Sequence, residues 1–134
     1  MQHINLIAAI VAGILGYFPG ALWYSRAMFL RRWAVEMGID LDSSPEGKSH
    51  GPKIAIGVVT SIVAAIVFAL IAGPAPALQS TLLLAVAIAG LIGSAFAIQY
   101  LFEERSLAFW AINAGYHLVQ FLIIALVLGL WREA

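Results

Sequence analysis

Four side chains that could do chemistry lie close together in the last third of the chain: Asn113, Tyr116, His117 and Gln120. Their spacing is i, i+3, i+4 and i+7, so on a helix they share one face. An imidazole beside a phenol and two carboxamides can bind a proton, hold a small polar ligand or tie helices together. All four sit inside an apolar run from Leu107 to Leu130. A helix of ~20 apolar residues crosses a bilayer, and this run is long enough. Polar groups are costly in hydrocarbon, so such a face turns towards protein or water. The other apolar runs are read as walls around it.

Composition supports that setting. Of 134 residues, 63% are hydrophobic and only 10% are charged, against roughly 25% charged in a soluble domain. The formal net charge is zero, so no basic field for nucleic acid is present. With no cysteine, thiol catalysis and disulfides are excluded. The chain is expected to form a single domain over 1–134, an all-α integral membrane four-helix bundle. Its spans are expected at about 4–25, 53–72, 78–102 and 107–131. The first run has no positively charged segment ahead of it and is read as a retained helix rather than a signal peptide.

Each span carries small residues at helical spacing, which lets backbones approach closely. They are Ala9, Gly13, Gly16 and Gly20 in the first, and Gly57, Ser61, Ala65, Ala69 and Gly73 in the second. The third has Ala85, Ala89, Gly93 and Ala97. Pro19 predicts a kink in the first span. Trp23 and Tyr24 follow it as interface anchors, with Trp131 and Arg132 at the other terminus. Arg26, Arg31, Arg32 and Trp33 come next, and 27–37 suits a short interfacial helix. Met28, Phe29, Trp33 and Met37 would dip into lipid while the arginines meet headgroups. An ordinary positively charged flank is the alternative. The polar stretch to Lys53 contains Asp40, Asp42, Glu46 and His50, without metal-ligand spacing, and reads as a solvated loop.

Charge placement sets the orientation. Arg26, Arg31, Arg32, Lys48 and Lys53 lie between the first two spans and Arg105 between the last two. The positive-inside rule puts both loops in the cytoplasm and both termini outside. At ~1.5 Å per residue, Tyr17, Ser94, Gln99, Asn113 and Tyr116 then fall in the cytoplasmic half. His117 lies near the midplane and Gln120 just beyond it. These seven residues form the candidate binding cluster, in a chain whose outer half is almost purely aliphatic.

The segments Gly20-Ala-Leu-Trp-Tyr-Ser25, Tyr100-Leu-Phe-Glu103 and Asn113-Ala-Gly-Tyr-His-Leu118, with the four-span layout, resemble the family called domain of unknown function 1761. These are small bacterial multi-pass membrane proteins. Arg26 stands where relatives often have proline. The resemblance implies a fold and a bacterial inner membrane, and brings no catalytic residues with it.

Three functional readings follow. The preferred one is a structural or accessory membrane protein, self-assembling as a homo-oligomer or docked onto a larger membrane complex, with the polar stripe as interhelical glue. The alternative is a small-solute or proton binding or permeation module built around His117, although no carboxylate lies deep in any span. A membrane enzyme is not expected, since a histidine without a nucleophile or deep carboxylate is a poor catalytic set. As a haem ligand, His117 lacks a second axial histidine within the membrane: His3 is at the outer end and His50 in the loop. Membrane lipids are the expected partners, and neither a cofactor nor a metal is indicated.

Overall fold

The computed structural model describes residues 3–41 and 51–131. The polar stretch 42–50, with Asp42, Glu46, Lys48 and His50, and the anchor Arg132 lie outside the described residues. Six helices make up the described chain, in the order α1 (Leu6–Tyr17), α2 (Pro19–Trp23), α3 (Leu30–Met37), α4 (Gly51–Ala72), α5 (Leu78–Phe102) and α6 (Leu107–Leu130). Local chemistry explains the boundaries. Asn5 Oδ1 accepts from the Ala8 N–H at 3.0 Å, so the first helix starts at Leu6. Pro19 lacks an N–H and begins α2, which separates it from α1 at Phe18. Gly38 ends α3 in the left-handed region, at φ 69°. Ser106 caps α6 by accepting from the Phe109 N–H at 3.1 Å.

Among the described residues, four stretches are long and apolar enough to span a membrane: Leu6–Trp23, Gly51–Ala72, Leu78–Phe102 and Leu107–Leu130. Their outer faces are greasy, with Leu91, Leu101 and Phe102 more than 70% exposed. A surface of that kind is compatible with lipid rather than water. The chain is a multi-pass membrane protein.

The spans pack in the order α5, α6, α1, α4, while α4 and α5 meet only marginally. This row curls, because side chains of α4 reach α6: the Phe68 and Phe121 rings stack with centroids 6.3 Å apart. An aliphatic core of Ala8, Ala12, Ala65, Ala69, Ile124 and Leu128 fills the end near the turn at 73–77. Small residues fall at the contacts. Gly13 is the tightest: a Cβ there would lie 2.5 Å from Ile62 Cα and 2.9 Å from the Ser61 carbonyl oxygen. Most other members of the stripes, among them Ala9, Gly16, Ala85 and Gly93, are buried, whereas Ala97 is exposed.

At the opposite end α3 folds back onto the bundle. Arg105, in the turn between α5 and α6, donates from Nη1 to the Glu36 carbonyl at 3.0 Å. Its guanidinium lies 5.2 Å from the centre of the Phe109 ring. Phe29 packs against Trp23 at 4.8 Å and Trp33 against Tyr24 at 6.2 Å. Both half-buried rings thus have aromatic partners within the protein. Met28 and Met37 are exposed.

Candidate functional site

The α6 stripe feeds two hydrogen-bonded clamps. In the first, Ser61 Oγ of α4 donates to the Gly13 carbonyl of α1 at 2.7 Å. Gln120 Nε2 donates to Ser61 Oγ at 3.0 Å, and Gln120 Oε1 lies 2.8 Å from His117 Nδ1. Elimination fixes the polarity of this chain. A carbonyl oxygen can only accept, so the single Ser61 proton goes to Gly13. Ser61 Oγ must then accept from the carboxamide nitrogen of Gln120. The carboxamide oxygen is left facing His117, and because it cannot donate, Nδ1 carries the proton. In the neutral ring the lone pair is therefore on Nε2. Gln120 and Ser61 are buried, which makes their mutual satisfaction a condition of folding.

Asn113 centres the second clamp. Tyr24 Oη donates to Asn113 Oδ1 at 2.7 Å, and Asn113 Nδ2 donates to Tyr100 Oη at 3.1 Å. One side chain thus joins the segment after α2, α6 and α5. Beside it, Trp23 Nε1 donates to the Ile112 carbonyl at 2.8 Å, and Tyr116 Oη donates to the Tyr17 carbonyl at 3.3 Å. Burial first, then the nearby Tyr116 and Tyr100 phenols, push the Tyr24 phenol up, so it remains a neutral donor. Aromatic rings surround the clamp: Tyr24 on Tyr116 at 5.6 Å, Tyr100 on Phe109 at 4.9 Å and Phe96 on Tyr100 at 5.4 Å. Glycines receive three of these aromatics. A Cβ would come within 2.9 Å of the Tyr116 ring at Gly20, 2.6 Å of the Tyr17 ring at Gly57 and 3.0 Å of the Trp23 ring at Gly115.

Of the seven residues expected to converge, Asn113, Tyr116, His117 and Gln120 do so. Tyr17 contributes its carbonyl, while its ring lies against Gly57 of α4. Ser94 and Gln99 stay outside. Both are exposed: Ser94 bonds to the Gly90 carbonyl at 2.8 Å, and Gln99 Nε2 donates to Glu103 Oε1 at 3.2 Å. The face of α5 towards α6 is instead set by Gly93, Phe96 and Tyr100. Similar depth had placed Ser94 and Gln99 in the cluster, but rotation about the helix axis leaves both exposed, with Ser94 on the rim of the groove between α5 and α6.

Three participants were not anticipated as site residues. Ser61 was legible in part, because it lies within the small-residue stripe of α4; its neighbour Thr60 is off that stripe and bonds to its own Ile56 carbonyl at 2.8 Å. Tyr24 looked like an interface anchor, and Tyr100 stood out only as part of a family segment. The anchors Trp23 and Tyr24 use their polar atoms inside the protein. Arg26, Arg31 and Arg32 are exposed, and Arg32 pairs with Glu36 at 3.0 Å. Two pockets flank the clamps without containing them. One, of about 330 Å³, lies at the opposite end between His3, Asn5, Gly73, Pro76 and Trp131. The other is an apolar groove of about 480 Å³ between α5 and α6, over Gly90, Gly93, Ala114 and Leu118.

The three sequence segments that carried the family resemblance meet in this region. Gly20, Trp23 and Tyr24 come from the first, Tyr100 from the second, and Asn113, Gly115, Tyr116 and His117 from the third. Neither a curated protein nor a solved structure matches the chain significantly. The model of the family described as "Protein of unknown function (DUF1761)" matches residues 7–129, and the chain belongs to that family.

Proposed function

We propose that this is a structural or accessory protein of the bacterial inner membrane, whose α6 polar stripe locks the four spans in one register. One observation carries the reading: three of the four stripe residues hydrogen-bond to neighbouring helices or the segment after α2, and together they reach every other span. Asn113 reaches the end of α2 and α5, Tyr116 reaches α1, and Gln120 reaches α4 and, through Ser61, α1. The Ser61 hydroxyl is committed to a carbonyl and is not poised as a nucleophile, which favours a non-enzymatic role. The loop carrying Arg26, Arg31 and Arg32 and the turn carrying Arg105 occupy the same end, joined by Arg105 and Glu36. The positive-inside rule assigns that end to the cytoplasm and both termini to the outside. The basic end then meets lipid headgroups, and the apolar outer faces of the spans are available for self-assembly or for docking onto a larger membrane complex.

The test replaces the stripe by apolar residues of similar size. Gln120→Leu leaves the His117 N–H without its partner, and Asn113→Leu removes two interhelical bonds. Each is expected to lower the unfolding free energy in detergent or bicelles by about 1–3 kcal/mol. Reporter fusions at both termini should read extracytoplasmic. Unchanged unfolding in both variants would refute the locking role. A second reading, a small-solute or proton module, is favoured by one feature, the partly exposed imidazole of His117 within the last span.

A further inference from the structure

The end of the bundle opposite the clamps holds the pocket of about 330 Å³. Three spans adjoin it: α1 begins at Leu6, α4 stops at Ala72 and α6 stops at Leu130. Part of its lining is apolar, including the buried Ala8, Ala69 and Leu128. The polar part is of two kinds. His3, Asn5 and Trp131 supply side-chain N–H groups. Asn5 spends Oδ1 on the Ala8 N–H, which leaves the Nδ2 amide. Among the described residues, neither that amide, the His3 ring nor the Trp131 indole N–H has a hydrogen-bond partner. The turn 73–76 supplies the opposite kind. It has no polar side chain, and Pro74 and Pro76 have no N–H. The Gly73 N–H is spent on the Ala69 carbonyl at 2.9 Å. What this turn offers is carbonyl oxygens, and among the described residues no backbone N–H bonds to them.

Helix dipoles divide in the same way. The start of α1 favours a negative group, and the ends of α4 and α6 favour a positive one. No Asp, Glu, Lys or Arg lines the pocket among the described residues. An ion of one sign would enter without a counter-charge, which is costly. A ligand that carries both signs meets a partner for each. The same helix ends expose Ile7, Leu70, Ile71 and Leu130, so a ligand with hydrocarbon tails can lay them alongside.

We propose that this pocket binds a zwitterion that joins a primary ammonium to a phosphodiester, the chemistry of an ethanolamine phospholipid headgroup. The ammonium donates to the carbonyls of the turn 73–76, next to the Trp131 ring. The phosphodiester accepts from Asn5 Nδ2 at the start of α1. The site lies at the far end from the register clamps and does not depend on them.

Unfolding of the full chain in nonionic micelles, titrated with dihexanoyl phosphatidylethanolamine, tests this. A ligand that binds only the folded chain raises the unfolding midpoint with its concentration. The choline analogue has no N–H on its cationic nitrogen, and the glycerol analogue has no cation. Both should need at least about tenfold more lipid for the same rise. Glycerophosphoethanolamine carries the headgroup without tails. A rise with it as well shows that the soluble zwitterion suffices, and a rise with the lipid alone makes the bilayer the source. Asn5→Asp keeps the cap on the Ala8 N–H and replaces the amide donor by a carboxylate that repels phosphate. It should keep the wild-type midpoint without lipid and lose the lipid-induced rise. Trp131→Ala, outside α6, should weaken the response without disturbing a helix. Gly90→Ala, where a Cβ meets nothing within 4 Å, should respond as wild type. Equal rises with all three lipids, no rise with the ethanolamine lipid, or an unchanged response in both Asn5→Asp and Trp131→Ala overturns the proposal.

Discussion

Gly13→Ala should separate α1 from α4, and its cost can be worked from the geometry. The added Cβ would lie 2.5 Å from Ile62 Cα, 2.8 Å from Ile62 N and 2.9 Å from the Ser61 carbonyl oxygen. All three are backbone atoms, so no side-chain rotation relieves the clash. Ordinary carbon contacts lie near ~3.5 Å or beyond, so the helices must part by roughly 1 Å. The Ser61 bond to the Gly13 carbonyl, 2.7 Å long, would then pass the limit of useful geometry. Overpacking costs about 1–3 kcal/mol and an interhelical bond in a membrane about 0.6–1.7 kcal/mol, so the expected loss is about 2–5 kcal/mol. Gly90→Ala is the matched control, because a Cβ there meets nothing within 4 Å. It should stay within about 0.5 kcal/mol of wild type. Denaturant titration in mixed micelles, followed by tryptophan fluorescence and far-UV circular dichroism, reads both variants. Adding Ser61→Ala isolates the bond: its effect should be smaller in the Gly13→Ala background, since the contact is already broken. Equal effects of Gly13→Ala and Gly90→Ala would refute the close-contact reasoning.

Two further outcomes follow from particular contacts. At Gly93 a Cβ would meet Trp110 at 3.6 Å and Ala114 at 3.8 Å. Gly93→Ala should therefore be tolerated, whereas Gly93→Leu should displace Trp110, whose Nε1 donates to the Gly93 carbonyl at 2.8 Å. The readouts are a shifted tryptophan emission and a loss of about 1–3 kcal/mol. The raised Tyr24 phenol makes stability fall as pH climbs above the ordinary tyrosine value of ~10. There the unfolded chain releases a proton that the fold retains. Below that value the contribution is complete, and Tyr24→Phe should flatten the alkaline slope of the unfolding midpoint while lowering its neutral-pH value.

Much of the architecture was legible because bilayer physics writes it locally. Apolar runs of spanning length and Pro19 each act within a few residues of themselves. The one-sided stripe of Asn113, Tyr116, His117 and Gln120 was legible for the same reason: a helix converts spacing into a face. Ser94 and Gln99 were misplaced because depth is additive along a helix, whereas azimuth depends on which neighbour the helix meets. Ser61 was passed over because a serine in a membrane helix usually bonds to its own backbone, and only the approach of α1 at Gly13 offers it a different carbonyl.

The sequence by itself determined that this chain crosses a membrane, how many times, and which helix carries its polar groups. It could do so because hydrophobicity and helical period are properties of short segments. The tertiary structure decided the order α5, α6, α1, α4, the pairing of Tyr24 with Asn113 and of Ser61 with Gly13, and the direction of every proton between Gly13 and His117. Those outcomes depend on which backbones touch, and contact between segments 48 to 89 residues apart is not encoded in either segment alone.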